Sequence, residues 1–261
     1  MTSKTEPRLL CYDLGEGVTA FSTTRHGGVS EANYASFNIN PYCGDSADHV
    51  ARNRQLLADR LGLPASHIVL PHQVHGIEHR AVAPELLDMS DTVRDKILDG
   101  VDMVTTSMTG VCIGVSTADC IPVLLYDPVA RATAIHAGWR GTLQRICQRA
   151  VMAMQLHYGT TPDRLRAVVG PGISLANFEV GQEVYDQFVQ AGFDLTETAE
   201  WHTKWHLDLP GINIRELIGC GVAPEHIHHA GICTFDHADD YFSARRLGID
   251  SGRIYTGILM R

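Results

Sequence analysis

The chain has 261 residues, of which 44% are hydrophobic and 20% charged, and a formal charge of −9. That is the composition of an ordinary soluble globular protein, long enough to bury a core without disulfide staples. The acidic balance argues against nucleic acid or an anionic membrane as the main partner, while leaving room for a small anionic ligand in a pocket with its own local field.

The first residues, MTSKTEPRLLCYDLGEG, hold no apolar run of signal-peptide length. No segment reaches the roughly 18 apolar residues of a membrane span. The expectation is a cytoplasmic protein forming a single domain over residues 1–261, with no internal repeat or linker. Nothing in the sequence specifies an oligomeric state. The seven cysteines are scattered and form no Cys-x-x-Cys pair, so neither a disulfide framework nor a zinc ribbon is indicated.

In chain order, a strand is predicted at 18–23 and a helix at 50–61, where Val50, Leu57 and Leu61 share a face and Gly62 offers a C-cap. Short, β-branched segments bounded by Gly, Pro or Asp predict strands at 67–70, 103–106, 111–116, 122–126 and 132–136. The gaps around Met108-Thr109-Gly110 and Asp127-Pro128 have hairpin length, predicting two antiparallel hairpins. Leu143, Ile146, Cys147, Ala150, Val151 and Met154 recur at helical spacing, and Thr142 is the expected cap of that helix. A strand at 165–170, helices around Val180–Val184–Phe188 and Ile214–Leu217–Ile218, and a last strand at 253–259 complete the pattern. Hairpins mixed with separate helices indicate an α+β fold with mixed, largely antiparallel sheets and flanking helices.

Chemistry concentrates at the strand ends. Cys120 follows Asp119 at the junction of two apolar strands, and a charged carboxylate there must be solvated or bonded. His136 ends a strand and precedes Ala-Gly-Trp-Arg-Gly, where Gly138 and Gly141 permit a tight turn and a close approach. Arg140 beside a helix N-terminus is a candidate anion-binding group. In Pro71-His72-Gln73-Val74-His75-Gly76 the two histidines stand three apart, so at most one is expected to face a site. The loop Pro-Glu-His226-Ile-His228-His229 reads as a surface cluster. One Cys and one or two His at strand ends fit either an open zinc site or a Cys nucleophile with a His base, and spacing does not choose between them.

Several motifs run in order through nearly the whole chain. They are Ser22-Thr-Thr-Arg25-His-Gly-Gly-Val-Ser30, Ser36-Phe-Asn38, Asn53-Arg54, Gln73-Val-His75-Gly76, Thr117-Ala-Asp-Cys120, His136-Ala-Gly-Trp-Arg-Gly141, Gly170-Pro-Gly172, Phe178-Glu-Val-Gly181, Phe242-Ser-Ala-Arg245-Arg246 and Gly252-Arg253. Together they resemble the bacterial YfiH-like family, also described as the laccase-domain or multicopper polyphenol oxidase family.

The resemblance implies a cysteine-hydrolase-like α+β architecture and a metal held by His75, Cys120 and His136, with zinc as the usual metal and copper as the alternative. It implies purine nucleoside phosphorolysis, with adenosine deamination and methylthioadenosine phosphorolysis beside it, on a small nucleoside and phosphate. Editing of peptidoglycan precursors by an amidase using Cys120 and His136 is the alternative. Copper oxidation of phenols ranks below both, because no His-Cys-His run is present. Asp119, Cys120 and Arg140 are the expected catalytic residues, Asp119 for proton transfer with a structural hydrogen bond as its rival role. Arg25, Asn38 and Arg140 are the expected substrate ligands. Phe178 and Ala244 stand where the family commonly has Tyr, which bears on substrate preference.

Overall fold

The computed structural model describes residues 6–129 and 131–261. Its strands are, in chain order, β1 (Leu9–Tyr12), β2 (Val18–Thr23), β3 (Ile68–Val69), β4 (His79–Val82), β5 (Met103–Thr106), β6 (Cys112–Thr117) and β7 (Ile121–Asp127). They continue as β8 (Arg131–Ala137), β9 (Arg166–Val169), β10 (Glu179–Val180), β11 (Ala199–Trp201), β12 (Trp205–Leu207), β13 (Ile227–His229) and β14 (Ile254–Met260). They form a five-stranded sheet ordered β1-β2-β14-β6-β3, a six-stranded sheet ordered β13-β9-β7-β8-β5-β4, and a small sheet β10-β12-β11. Most pairings are antiparallel; β3–β6, β4–β5 and β9–β13 are parallel. The fold is thus α+β with mixed, mainly antiparallel sheets.

The two large sheets pack face to face, and each carries helices on its outer side. Ile113 and Val115 of β6 meet Val104, Leu124 and Ala134 in the core between the sheets. On the other face of the six-stranded sheet, Val123, Leu125 and Ile135 pack on Ile146, Ala150 and Met154 of the helix Ile146–Tyr158. The helix Ala47–Leu61 covers the five-stranded sheet through Leu57 and Leu61 against Phe21 and Tyr255. This layering explains the unbroken apolar runs. Every residue of β7 is buried, because both faces of the strand are covered.

The hairpin expected at Asp127-Pro128 forms. β7 pairs antiparallel with β8 from Ile121↔Ala137 to Asp127↔Arg131, and Asp127 Oδ1 accepts the Val129 N–H at 3.0 Å. The hairpin expected at Met108-Thr109-Gly110 does not. β5 is flanked by β4 and β8, and β6 by β14 and β3, so the chain between them passes from one sheet to the other. The turn is short, but both strands present apolar residues to the same inter-sheet core. Facing each other across that core, rather than pairing edge to edge, buries both sets.

Two further expectations are corrected. Thr142 does not cap the long helix. It lies inside a short helix, Trp139–Leu143, with its side chain bonded to Asn213. Arg145 then adopts φ 60°, and the long helix starts at Ile146. The residues His226-Ile-His228-His229 are no free loop. Ile227–His229 is the edge strand parallel to β9, and His228 packs on Tyr12 with ring centroids 5.4 Å apart.

Candidate metal and active site

Cys120 lies in the crossover between the two large sheets, after β6 ends at Thr117 and before β7 begins at Ile121. His136 is the penultimate residue of β8 and pairs with Pro122. The β7–β8 register therefore sets the thiol and the imidazole side by side at one end of the hairpin. His75 comes from the loop between β3 and β4, at φ 63°. The donor atoms of His75, Cys120 and His136 all lie within 4.8 Å of one another.

Two side chains outside this trio bring the His75 loop to the sheet junction. Gln73 extends the end of β6 like a further strand residue, accepting from Ser116 N at 2.7 Å and donating to Ser116 O at 2.8 Å. Asp102, fully buried just before β5, accepts the N–H groups of Val74, His75 and Gly76 at 3.2, 3.0 and 2.7 Å. The same carboxylate accepts from His136 Nδ1 at 2.6 Å, which leaves Nε2 of that ring for the site. One carboxylate thus fixes two of the three donors. The sequence reading missed Asp102. Its only signal there was a lone acid in an apolar stretch, Gly100-Val-Asp102-Met.

The donors perturb one another. Burial pushes the Cys120 thiol up, but the His136 charge and hydrogen bonds from His136 and His75 outweigh it and lower the thiol from 9.0 to about 6. Burial opposes charge on His136 as well, yet the Cys120 thiolate and the Asp102 hydrogen bond raise it to about 9. Both shifts run in the direction that favours a thiolate facing an imidazolium in metal-free protein. Alkylation of Cys120 in metal-free protein is therefore expected to show a midpoint near pH 6; a midpoint near the ordinary 9.0 would mean that no ion pair forms.

Gly138 opens the space in which the donors meet. A Cβ at this position would lie 3.0 Å from His75 Cδ2 and 3.1 Å from Cys120 Sγ, although the φ of −70° suits any residue. Gly138→Ala is expected to leave the fold intact and weaken metal binding roughly tenfold, as loss of a supporting contact does. A competition titration with a chromophoric chelator checks this, and unchanged affinity would count against the crowding.

The trio lines a cavity of about 290 Å³ that also takes in Asn40, Tyr42, His72 and Arg253. This is near the lower end of small-molecule pockets, about 300–1,000 Å³. Both His72 and His75 reach it, against the expectation of one at most, but only His75 joins the donor cluster.

The other expected site residues are placed differently. Asp119, at φ 91°, spends one carboxylate oxygen on Thr234 Oγ1 and the other on Arg245 N, both at 2.7 Å, and does not line the cavity. Those bonds favour its structural role over proton transfer. Arg25 donates to the carbonyls of Ala35 and Ala238 and stacks on Phe242. Buried Asn38 bonds Asp45 and accepts from Arg253 N at 3.1 Å. Arg140 is exposed and stacks on Trp139. None of these three lines the cavity. Arg253, unremarked as a ligand in the sequence, is the guanidinium that does. Ala244, where a Tyr is common in the family, is part of the lining, whereas Phe178 packs near Arg245.

Two imidazoles and a thiolate converging on an open cavity define a protein whose site could hold a metal ion and take a small molecule. The family described as multi-copper polyphenol oxidoreductase laccase matches residues 19–261, and the chain belongs to it. Purine nucleoside phosphorylase of Bacteroides thetaiotaomicron is 44% identical over 247 residues, 93% of this chain and 92% of that protein. Adenosine deaminase RL5, from an unknown prokaryotic organism, is 40% identical over 93% of this chain and 94% of its own. The crystal structure of Bacillus licheniformis hypothetical protein YfiH matches with a TM-score of 0.91 at 28% identity, covering 98% of this chain and 97% of that one.

Proposed function

We propose that this protein is a zinc-dependent purine nucleoside phosphorylase of the cytoplasm that also deaminates adenosine and phosphorolyses methylthioadenosine. The observation that carries the reading is the convergence of His75, Cys120 and His136 on one wall of a small-molecule cavity. The names of relatives at 44% and 40% identity, a phosphorylase and an adenosine deaminase, supply the substrate class.

The donors fit zinc. The three donor atoms lie within 4.8 Å of one another, close enough that His75, Cys120 and His136 would together hold one ion. Two neutral imidazoles and a thiolate suit its borderline softness. Zinc held there supplies Lewis acidity, which polarises a substrate and makes water a stronger acid. Asp102 keeps His136 in the tautomer whose Nε2 is free to bind. Arg253 lines the cavity and adds positive charge near it, although Nη1 and Nη2 already donate to the carbonyls of Ser251, Gly252 and Ile249.

Zinc-loaded protein incubated with adenosine, with and without phosphate, tests the reading by chromatography. Adenine that appears only with phosphate supports phosphorolysis, and inosine supports deamination. Neither product would end the assignment.

One observation favours a second reading. Cys120, His136 and Asp102 also stand in the order of a nucleophile, a base and an orienting carboxylate, which suits amide hydrolysis. A chelator separates the two: a Cys–His amidase survives it and dies on alkylation.

A further inference from the structure

His72 is held more firmly than a surface histidine requires. Its Nδ1 lies 2.6 Å from Asp99 Oδ1, and its ring stacks on Tyr42 with centroids 4.2 Å apart. Its backbone is tied on both sides to the same segment, by His72 N to Leu98 O at 3.0 Å and Gly100 N to His72 O at 2.9 Å. Tyr42 is pinned in turn by Asn40, whose Oδ1 accepts the Tyr42 N–H at 2.6 Å. The ring is thus fixed at one nitrogen, one face and its backbone, yet it lines the same cavity as the metal donors. The short stretch from Asp99 to Asp102 orients two histidines, His72 through Asp99 and His136 through Asp102. The second histidine is a donor to the candidate metal; the first is not part of that cluster.

We propose that His72 is the proton donor to the departing purine, its Nδ1–H held by Asp99 and its Nε2–H directed at the base. The inference rests on the phosphorylase reading above. In phosphorolysis a phosphate oxygen forms a bond to C1′ of the ribose while the C1′–N9 bond breaks and its electron pair passes into the purine. A purine anion is a poor leaving group. A proton from His72 Nε2 to a ring nitrogen of the base neutralises it, leaving sugar phosphate, neutral base and neutral imidazole, which recovers a proton from solvent through its exposed edge. Asp99 Oδ1 holds the ring in place through Nδ1. Among the described residues, Asp99 and Tyr42 contact the ring, and Cys43, His75, Cys120, His136 and Arg253 line the cavity with it.

The test compares an ordinary purine nucleoside with its 7-methylated analogue, whose base already carries positive charge and leaves without a proton. His72→Ala in the zinc-loaded protein is expected to lower kcat on the ordinary nucleoside about 100-fold or more, the usual contribution of a general acid. It should stay near the wild-type rate on the 7-methyl substrate and keep wild-type zinc content. His72→Gln should behave in the same way, because an amide fills the place without delivering a proton. An equal loss on both substrates, no loss on either, or loss of zinc would overturn the proposal. Wild-type protein inert on both substrates would sink the phosphorylase reading, and the proton-donor role with it.

Discussion

Cys120→Ala is expected to lose both the metal and the nucleoside chemistry while remaining folded. The side chain is small and only partly buried, and the crossover that carries it is held from elsewhere. Asp119 O accepts from Ile173 N at 2.8 Å, and the Asp119 carboxylate grips Thr234 and Arg245 N. Removing Sγ therefore costs little structure, within the range of about 1 kcal/mol typical of point substitutions. It leaves two imidazoles where three donors converged, without the thiolate whose charge best matches zinc. Supporting residues alone are worth about 10–100-fold in metal affinity, so losing a donor should cost more than about 100-fold. Elemental analysis of purified protein should read about one zinc per wild-type chain and close to none in the variant. Full metal content in Cys120→Ala would remove the thiol from the ligand set.

Asp102→Ala is expected to be the most damaging single substitution near the site, for structure as well as chemistry. The carboxylate is fully buried and accepts from three consecutive backbone N–H groups and from His136. Removing it strands those donors in the interior and leaves the His75 loop without its anchor. Breaking a buried charge pair in this way costs about 3–5 kcal/mol. Metal affinity should fall by a further 10–100-fold or so, because neither His75 nor His136 is then oriented. Asp102→Asn keeps the size but turns an amide N–H toward one of the donors, and should fall between wild type and Ala.

The pH dependence follows from the same contacts. Burial acts to raise the Asp102 pKa, but the His136 hydrogen bond and charge and the backbone N–H groups outweigh it and hold it below 3.8. An acid whose folded pKa is depressed stabilises the fold above its unfolded value and loses that contribution as pH falls through the folded one. The wild-type protein should therefore lose the Asp102 contribution below pH 3.8, and Asp102→Ala should lack that part of the acid transition. Denaturant melts of metal-free protein across this window would show it. Parallel curves for the two proteins would mean that Asp102 is not ionised in the fold.

Much of the fold was legible because its signals are local. The predicted strands at 18–23 and 103–106 match β2 and β5 residue for residue, since each is a β-branched run closed by turn residues. Gly62 ends its helix in the left-handed conformation, as a glycine after an apolar face should. What failed was choice of partner. β5 and β6 have hairpin spacing, yet they belong to different sheets, and only the burial of both strands on both faces shows why. The short strands β10 to β12 were missed because two or three residues carry no period.

The candidate site divides along the same line. By itself the sequence determined that Cys120 and His136 bracket a hairpin and so lie at one end of it, because antiparallel pairing makes proximity a matter of counting. Motif resemblance named His75 as their companion. Only the tertiary structure decided how His75 arrives and which polar residues face the cavity. Asp102 sits beside His136 because β5 pairs with β8 in the register Met103↔Ile135, and no local pattern encodes that register. Arg25 and Asn38 carry the right chemistry for a substrate but lie off the cavity, bonded to backbone and neighbouring side chains, while Arg253, itself bonded to the carbonyls of Ile249, Ser251 and Gly252, lines it from far along the chain and His72 from beside His75. A side chain's type is written in the sequence; the direction it faces is set by long-range pairing and by which polar groups must be satisfied once buried.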